Sequence, residues 1–305
     1  MERVRIARRI MIFWTLFIGI GAVAGSAGML LKPDGSIMSM QGLLPYFQVL
    51  PFADVLFQNF IFPGIALFIV NGISNLTAAF LIYKRKKAGP YLGCLFGITL
   101  MLWIMIQFVI FPANFMSITY FIFGLLQFAC GLAYIIFLKQ SEFSFSEKAY
   151  KNIGKKPDVL VAYFSRMGYS KKIAYEKADE IGADVYEITT PERTKGFLGF
   201  AWLGRFGMHG WAMPIDAVSR NIGKYKKVIF VYPIHVFSAA SPVKGFCKAC
   251  KGKVKKAEYI AVHFRKDNDY SKSFSWMDEA LGIHADKRES IVCKYGNVIR
   301  KRQFD

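Results

Sequence analysis

Three long stretches of this chain carry no Lys, Arg, Asp or Glu at all: residues 10–31, 55–83 and 88–138. About 20 consecutive apolar residues are what a helix needs to cross a hydrocarbon core. A water-soluble globule breaks runs of that length with charge. Yet the chain also holds 40 Lys and Arg against 21 Asp and Glu, a formal charge of +19, and its mean hydropathy is +0.30. Both properties coexist only if apolar and charged residues are segregated, and the charges do crowd into the region after Lys139. A chain of 305 residues is long enough for two domains. The expectation is a membrane α-helical bundle over 1–139, a linker over 140–157 and a charged domain over 158–305.

The bundle divides into four transmembrane helices, at about 10–31, 60–83, 90–111 and 115–138. Pro112, Ala113 and Asn114 alone join the last two, which makes a tight helical hairpin. Asn71 and Asn75 lie one turn apart on one face of the second span beside Ser74, and Gln107 sits in the third. No span carries an ionisable residue, so these amides read as helix–helix hydrogen bonds; a polar path or ligand contact is the alternative. Arg3, Arg5, Arg8 and Arg9 precede the first span, and Lys84, Arg85, Lys86 and Lys87 join the second to the third. Cytoplasmic loops carry the excess of Lys and Arg. A multi-pass protein of the cell membrane follows, with its N-terminus and C-terminal domain in the cytoplasm. Ala22-Val23-Ala24 resembles a signal-peptidase site; cleavage there would leave three spans in the same orientation. The stretch 32–58, with the turn signal Pro33-Asp34-Gly35 and then Pro45 and Pro51, reads as an outer loop dipping into the interface.

After Lys139 the pattern changes to alternating strands and helices. Strands are expected at 159–164, 184–188, 228–232, 259–264 and 290–293, with helices at 171–181, 241–251 and 271–281 between them. The first strand is a continuous apolar run, as in a parallel strand buried on both faces. Alternation of this kind implies an α/β fold with a doubly wound, five-stranded parallel sheet. Ligands of such sheets sit beyond the carboxyl ends of the strands.

Two motifs lie at those ends. The first strand runs into Ser165-Arg166-Met167-Gly168-Tyr169-Ser170 and then a helix. A glycine lets the backbone curl close to an anion, and a helix start presents unpaired N–H groups. The third strand runs into Tyr232-Pro233-Ile234-His235-Val236-Phe237-Ser238. Together these resemble the phosphate loop and the ring-wrapping loop of flavodoxins, over 158–296. The resemblance implies FMN, with its phosphate at Ser165, Arg166, Met167, Gly168, Tyr169 and Ser170. Its ring would lie between Pro233, Ile234, His235, Val236, Phe237 and Ser238 on one side and the 266–270 loop on the other, where Tyr270 takes the place of a ring-stacking tyrosine. The chain departs from the family in Met167, which stands for Thr, in the bulk of Tyr169, and in His235-Val236, which replaces an aromatic pair. No residue need be a classical acid or base, and His235 is the candidate proton donor or ring contact. Flavodoxins are usually acidic, whereas residues 151–305 hold 29 basic and 16 acidic side chains, a balance of +13.

Basic runs at 224–227 and 251–256 suit the anionic inner leaflet better than nucleic acid, with an acidic redox partner as the other reading. The five cysteines form no disulfide framework. Cys247 and Cys250 sit inside an expected helix with no second ligand pair, so no metal is expected; ordinary cysteines are the reading and a redox pair the alternative. Residues 196–214 set two Trp and three Phe among glycines. They read either as a helix packed on the sheet or as an aromatic cover against the membrane or over the flavin pocket, where a membrane quinone approaches. The functional expectation is a membrane-anchored, FMN-binding electron-transfer protein. The alternatives are an FMN-dependent quinone or small-molecule reductase and a flavin-free interaction domain.

Overall fold

The computed structural model describes residues 2–265 and 270–304. The chain separates into two compact units, Met1–Glu142 and Phe143–Asp305.

In the first unit, α1 (Glu2–Leu31), α2 (Ile61–Tyr83), α3 (Ala88–Ile110) and α4 (Phe115–Ser141) are each long and apolar enough to cross a membrane. The α1 helix starts eight residues before the first apolar run, at Glu2 instead of residue 10. Its four arginines end the apolar stretch without ending the helix, because Arg is a good helix former. Asn114 caps α4, its Oδ1 accepting from the Ser117 N–H at 2.9 Å. The α3 and α4 helices touch backbone to backbone: a Cβ on Gly97 would lie 2.7 Å from the Phe128 nitrogen, and one on Gly131 2.7 Å from the Cys94 Cβ. Such small-residue contacts are how helices associate where lipid removes the hydrophobic drive. Two of the three expected amides bond across helices, Asn75 to Gln127 and Gln107 to Ser117, while the Asn71 side chain is buried with no hydrogen-bond partner among the described residues. Gln127 donates to the Asn75 Oδ1 and to the Gly93 carbonyl, both at 2.8 Å, and Asn75 donates to the Asn71 carbonyl at 2.9 Å. A π-helical turn, Phe68–Ile73, interrupts α2 at Asn71. Between α1 and α2, residues 36–56 fold into 3-10 turns, Ser36–Met38 and Gln41–Val49, and one helical turn, Ala53–Leu56.

The second unit contains β1 (Val159–Tyr163), α5 (Tyr169–Ile181), β2 (Asp184–Glu187), α6 (Gly196–Met208), β3 (Lys227–His235), β4 (Ser238–Ala239), α7 (Ser241–Ala249), β5 (Ala257–His263), α8 (Ser271–Leu281), β6 (Lys287–Lys294) and β7 (Asn297–Phe304). Strands β2-β1-β3-β5-β6 are parallel neighbours in that order. This is the order of the flavodoxin-like doubly wound sheet, with its switch point between β1 and β3. On β1, Leu160 and Ala162 enter the core on one face with Phe230, Phe246 and Phe274, while Val161 and Tyr163 enter the other with Ile173, Ala174 and Val231. Burial on both faces is why β1 reads as an unbroken apolar run.

The expected strand count of five is corrected to seven. The antiparallel β7 pairs with β6, and the two-residue β4 pairs with the end of β3. Neither has an apolar face to betray it. All but the last described residue of β7 are exposed, so the strand is held by ladder bonds and carries Arg300, Lys301 and Arg302 along a sheet edge, where charge deters further pairing. Residues 143–150 pack onto α5: the Phe145 and Tyr175 rings lie 5.1 Å apart, and Lys171 pairs with Glu147 at 2.6 Å.

Candidate functional site

The carboxyl ends of β1, β3 and β5 deliver three loops to one edge of the sheet. The first begins at Phe164, whose N–H still bonds to the Val231 carbonyl. It ends at Gly168, with φ +88, immediately before α5. This is the left-handed backbone that favours glycine. A Cβ there would also stand 2.9 Å from the Phe143 ring, which closes one side of the loop and meets the Tyr169 ring edge-on at 4.9 Å. The first intrahelical bond runs from the Lys172 N–H to the Gly168 carbonyl. The N–H groups of the first turn therefore lack carbonyl partners within the helix. Ser170 is buried and Ser165 half-buried. Arg166 is held sideways, its guanidinium 4.9 Å from the centre of the Phe200 ring and bonded to the Gly196 carbonyl at 3.4 Å. Burial lowers its pKa, but a guanidinium remains a cation at neutral pH.

The second loop is a two-residue hairpin. His235 faces Ser238 and Ile234 faces Ala239, so Val236 and Phe237 form the turn. Both have positive φ, +49 and +62. Tight hairpins require this of their central residues, and Asn-Gly normally supplies it. In a β-branched residue such a φ is a genuine outlier. The hairpin is braced from below, where a Cβ on Gly207 of α6 would be 3.4 Å from Val236. Phe237 projects outward, 62% exposed. The His235 Nδ1 is buried with no hydrogen-bond partner, and the ring lies edge-on to Phe164. Burial, with Arg166 adding to it, pushes the His235 pKa down to about 4. The ring is therefore neutral near pH 7, which removes it as an imidazolium proton donor and leaves it as a neutral hydrogen-bonding contact.

Of the third loop, the expected ring-facing residues 266–269 lie outside the described residues. Tyr270 is 7% exposed and its ring meets that of His263 at 4.5 Å. His263 is fixed in turn by Ser290 Oγ at 2.5 Å and the Arg265 carbonyl at 2.7 Å. Tyr270 is thus turned into the domain.

One contributor, Phe164 behind His235, escaped sequence reasoning; the flagged stretch 196–214 supplies α6, whose Phe200 carries Arg166 and whose Gly207 backs Val236. Inward, α6 buries Gly199, Leu203 and Gly207. Outward, it exposes Phe197 (81%), Leu198, Phe200 and Met208, with Trp211 stacked on His209 just beyond its end. The helix reading of 196–214 is thus met over 196–208, with an exposed apolar outer face. Cys247 and Cys250 are buried thiols, with Cys247 Sγ against the Met277 sulfur at 3.6 Å. Burial pushes Cys250 up to about 11 and Cys247 well above its ordinary value, so neither is a ready thiolate. No cluster of metal-ligating side chains occurs among the described residues.

No protein-family model matches this chain, and no curated protein does. Among the solved structures that resemble its second unit are the following two. A candidate flavoprotein from Bacteroides eggerthii is 20% identical, with a TM-score of 0.39 over 45% of this chain and 89% of that one. A flavoprotein in complex with FMN from Lactobacillus acidophilus is 18% identical, with a TM-score of 0.35 over 43% and 91%.

Proposed function

We propose that this chain is a membrane-anchored FMN-binding flavoprotein that transfers electrons at the cytoplasmic face of the cell membrane. The observation that carries the reading is the convergence, at the β1/β3 switch point, of a glycine-turned loop opening a helix and a strained hairpin. A phosphate fits the first: the turn at Gly168 aims the unpaired N–H groups of α5 into the loop, Ser165 and Ser170 add hydroxyls, and Arg166 stands by as a counter-charge. A planar ring fits the second, where Phe237 offers an exposed face and the His235 Nδ1 is an orphaned acceptor or donor. Bound FMN would supply one- and two-electron redox chemistry. The chain's own residues then bind and orient it. The 165–170 loop fixes one end, and Pro233, Ile234, His235, Val236, Phe237 and Ser238 limit water at the other. His235, neutral at pH 7, presents a hydrogen-bonding nitrogen without adding charge.

Anchoring is supported by four apolar helices, of which only 22–33% of the most apolar window is buried within the protein. The remainder is apolar surface suited to lipid. The basic α2–α3 turn at 84–87 and the four arginines in the first turns of α1 support a cytoplasmic orientation. The exposed Phe197, Leu198 and Met208, flanked by exposed Arg193, Lys195 and Arg205, form a surface suited to an anionic bilayer. That surface lies beside the ring loop, which favours a membrane-dissolved quinone over an acidic protein as the redox partner and makes an FMN-dependent quinone reductase the second reading. Adding FMN to the purified full-length chain should quench flavin fluorescence saturably, and Gly168→Val should abolish the effect. A wild-type chain that takes up no FMN points to the flavin-free interaction domain.

A further inference from the structure

The membrane unit contains a cavity of about 560 Å³, within the range of roughly 300–1,000 Å³ typical of small-molecule sites. It lies between α1, α3 and α4 and is roofed by the 36–56 segment. Its walls are apolar except at one end. There Trp103 and Gln107 of α3 meet Ser117 and Tyr120 of α4. Ser117 donates to the Gln107 Oε1 at 3.1 Å, which orients the Gln107 amide. The Gln107 NH2, the Trp103 indole N–H and the Tyr120 hydroxyl have no protein hydrogen-bond partner among the described residues. Three donors around the polar end of an otherwise apolar cavity match one ligand chemistry: an apolar tail whose head carries carbonyl acceptors. The three side chains are half-buried and line the cavity, so such a head can accept from them without displacing a protein partner.

We propose that this cavity binds an amphiphile with a carbonyl-bearing head, either a prenyl-type quinone or the ester head of a glycerolipid. The 36–56 segment, whose Met38, Met40 and Leu43 face the cavity, is the cover of that site. The proposal does not depend on FMN.

A small residue opens the cavity and supplies the test. A Cβ at Gly21 would meet only the Tyr120 hydroxyl, at 3.7 Å, so Gly21→Phe fills the space without a backbone clash. With full-length protein in detergent, titration with a decyl-substituted benzoquinone should quench tryptophan fluorescence saturably. Trp103→Phe should remove the quenched component, Gly21→Phe should abolish binding, and Gln107→Leu, lacking one charge-neutral hydrogen bond, should weaken it about tenfold. In the second arm, organic extracts of the purified protein are analysed by mass spectrometry. A phospholipid retained one to one by wild type and lost in Gly21→Phe assigns the glycerolipid class in place of the quinone. Quenching that does not saturate, together with no molecule retained by wild type beyond what Gly21→Phe retains, overturns the proposal. Unchanged thermal unfolding of Gly21→Phe shows that loss of binding is not loss of fold.

Discussion

The hairpin at Val236 and Phe237 combines poor local stability with an exposed position at the site, and a double substitution separates the two. Replacing Val236 by Asn and Phe237 by Gly installs the residues that a turn with two positive φ values prefers. Each strained residue costs about 1–3 kcal/mol. The lost packing of Val236 on α6 returns roughly 1 kcal/mol, because the side chain is 43% exposed and only part of it leaves a contact. The net gain is about 2 kcal/mol, or roughly 4–8 °C in the unfolding temperature of a unit this size. The same change removes the exposed Phe237 ring, and an aromatic contact is worth about 0.5–1.5 kcal/mol. FMN should therefore bind up to about tenfold more weakly. Thermal unfolding of the flavin-free full-length protein and FMN fluorescence titration read the two effects separately. An unfolding temperature that stays level or falls refutes the strain argument. A stabilised protein with unaltered FMN affinity refutes the placing of Phe237 at the ring.

Other expectations follow from the same geometry. Gln127→Leu leaves the Asn75 Oδ1 and the Gly93 carbonyl without their donor and should destabilise the helical unit by about 1–2 kcal/mol, read as earlier thermal unfolding in detergent. His235 has a folded pKa below its unfolded value, so protons bind the unfolded chain preferentially. The stability this group lends is full above about pH 6.5 and is lost as pH falls toward 4, by roughly 2–3 kcal/mol. His235→Gln should flatten that slope in unfolding curves taken across the range. Cys247 and Cys250 should resist maleimide labelling in the folded protein and react on unfolding, and Cys250→Ser should leave FMN affinity unchanged.

What was legible in the sequence follows from burial. The charge-free runs and basic flanks located all four apolar helices, because exclusion of charge is a property of whole segments. Strand β1 was legible because both faces are buried, and α8 because its apolar residues recur at helical spacing. Gly168 was legible because only a glycine suits that turn. The arginine-bearing start of α1, the exposed β7 and the π turn at Asn71 were not, since none leaves an apolar period. A loop was expected at 233–238, but its strain was hidden: Val236 and Phe237 argue against a left-handed turn, and strain of that kind is invisible to propensity. Tyr270 was expected at the ring from the resemblance to flavodoxins; that its ring packs on His263 leaves no local signal in the sequence. Residues 196–214 resisted a single reading because α6 is apolar both inward, at Leu203, and outward, at Phe197 and Met208.

The central claim, that the chain carries FMN at a membrane, is tested most directly by the flavin content of the full-length protein extracted from its native membrane. The account predicts that detergent, and not salt or alkali washing, releases the protein, and that it carries close to one FMN per chain, set free on denaturation. A protein that is extracted in this way but holds no flavin, and that remains colourless after incubation with FMN, contradicts it.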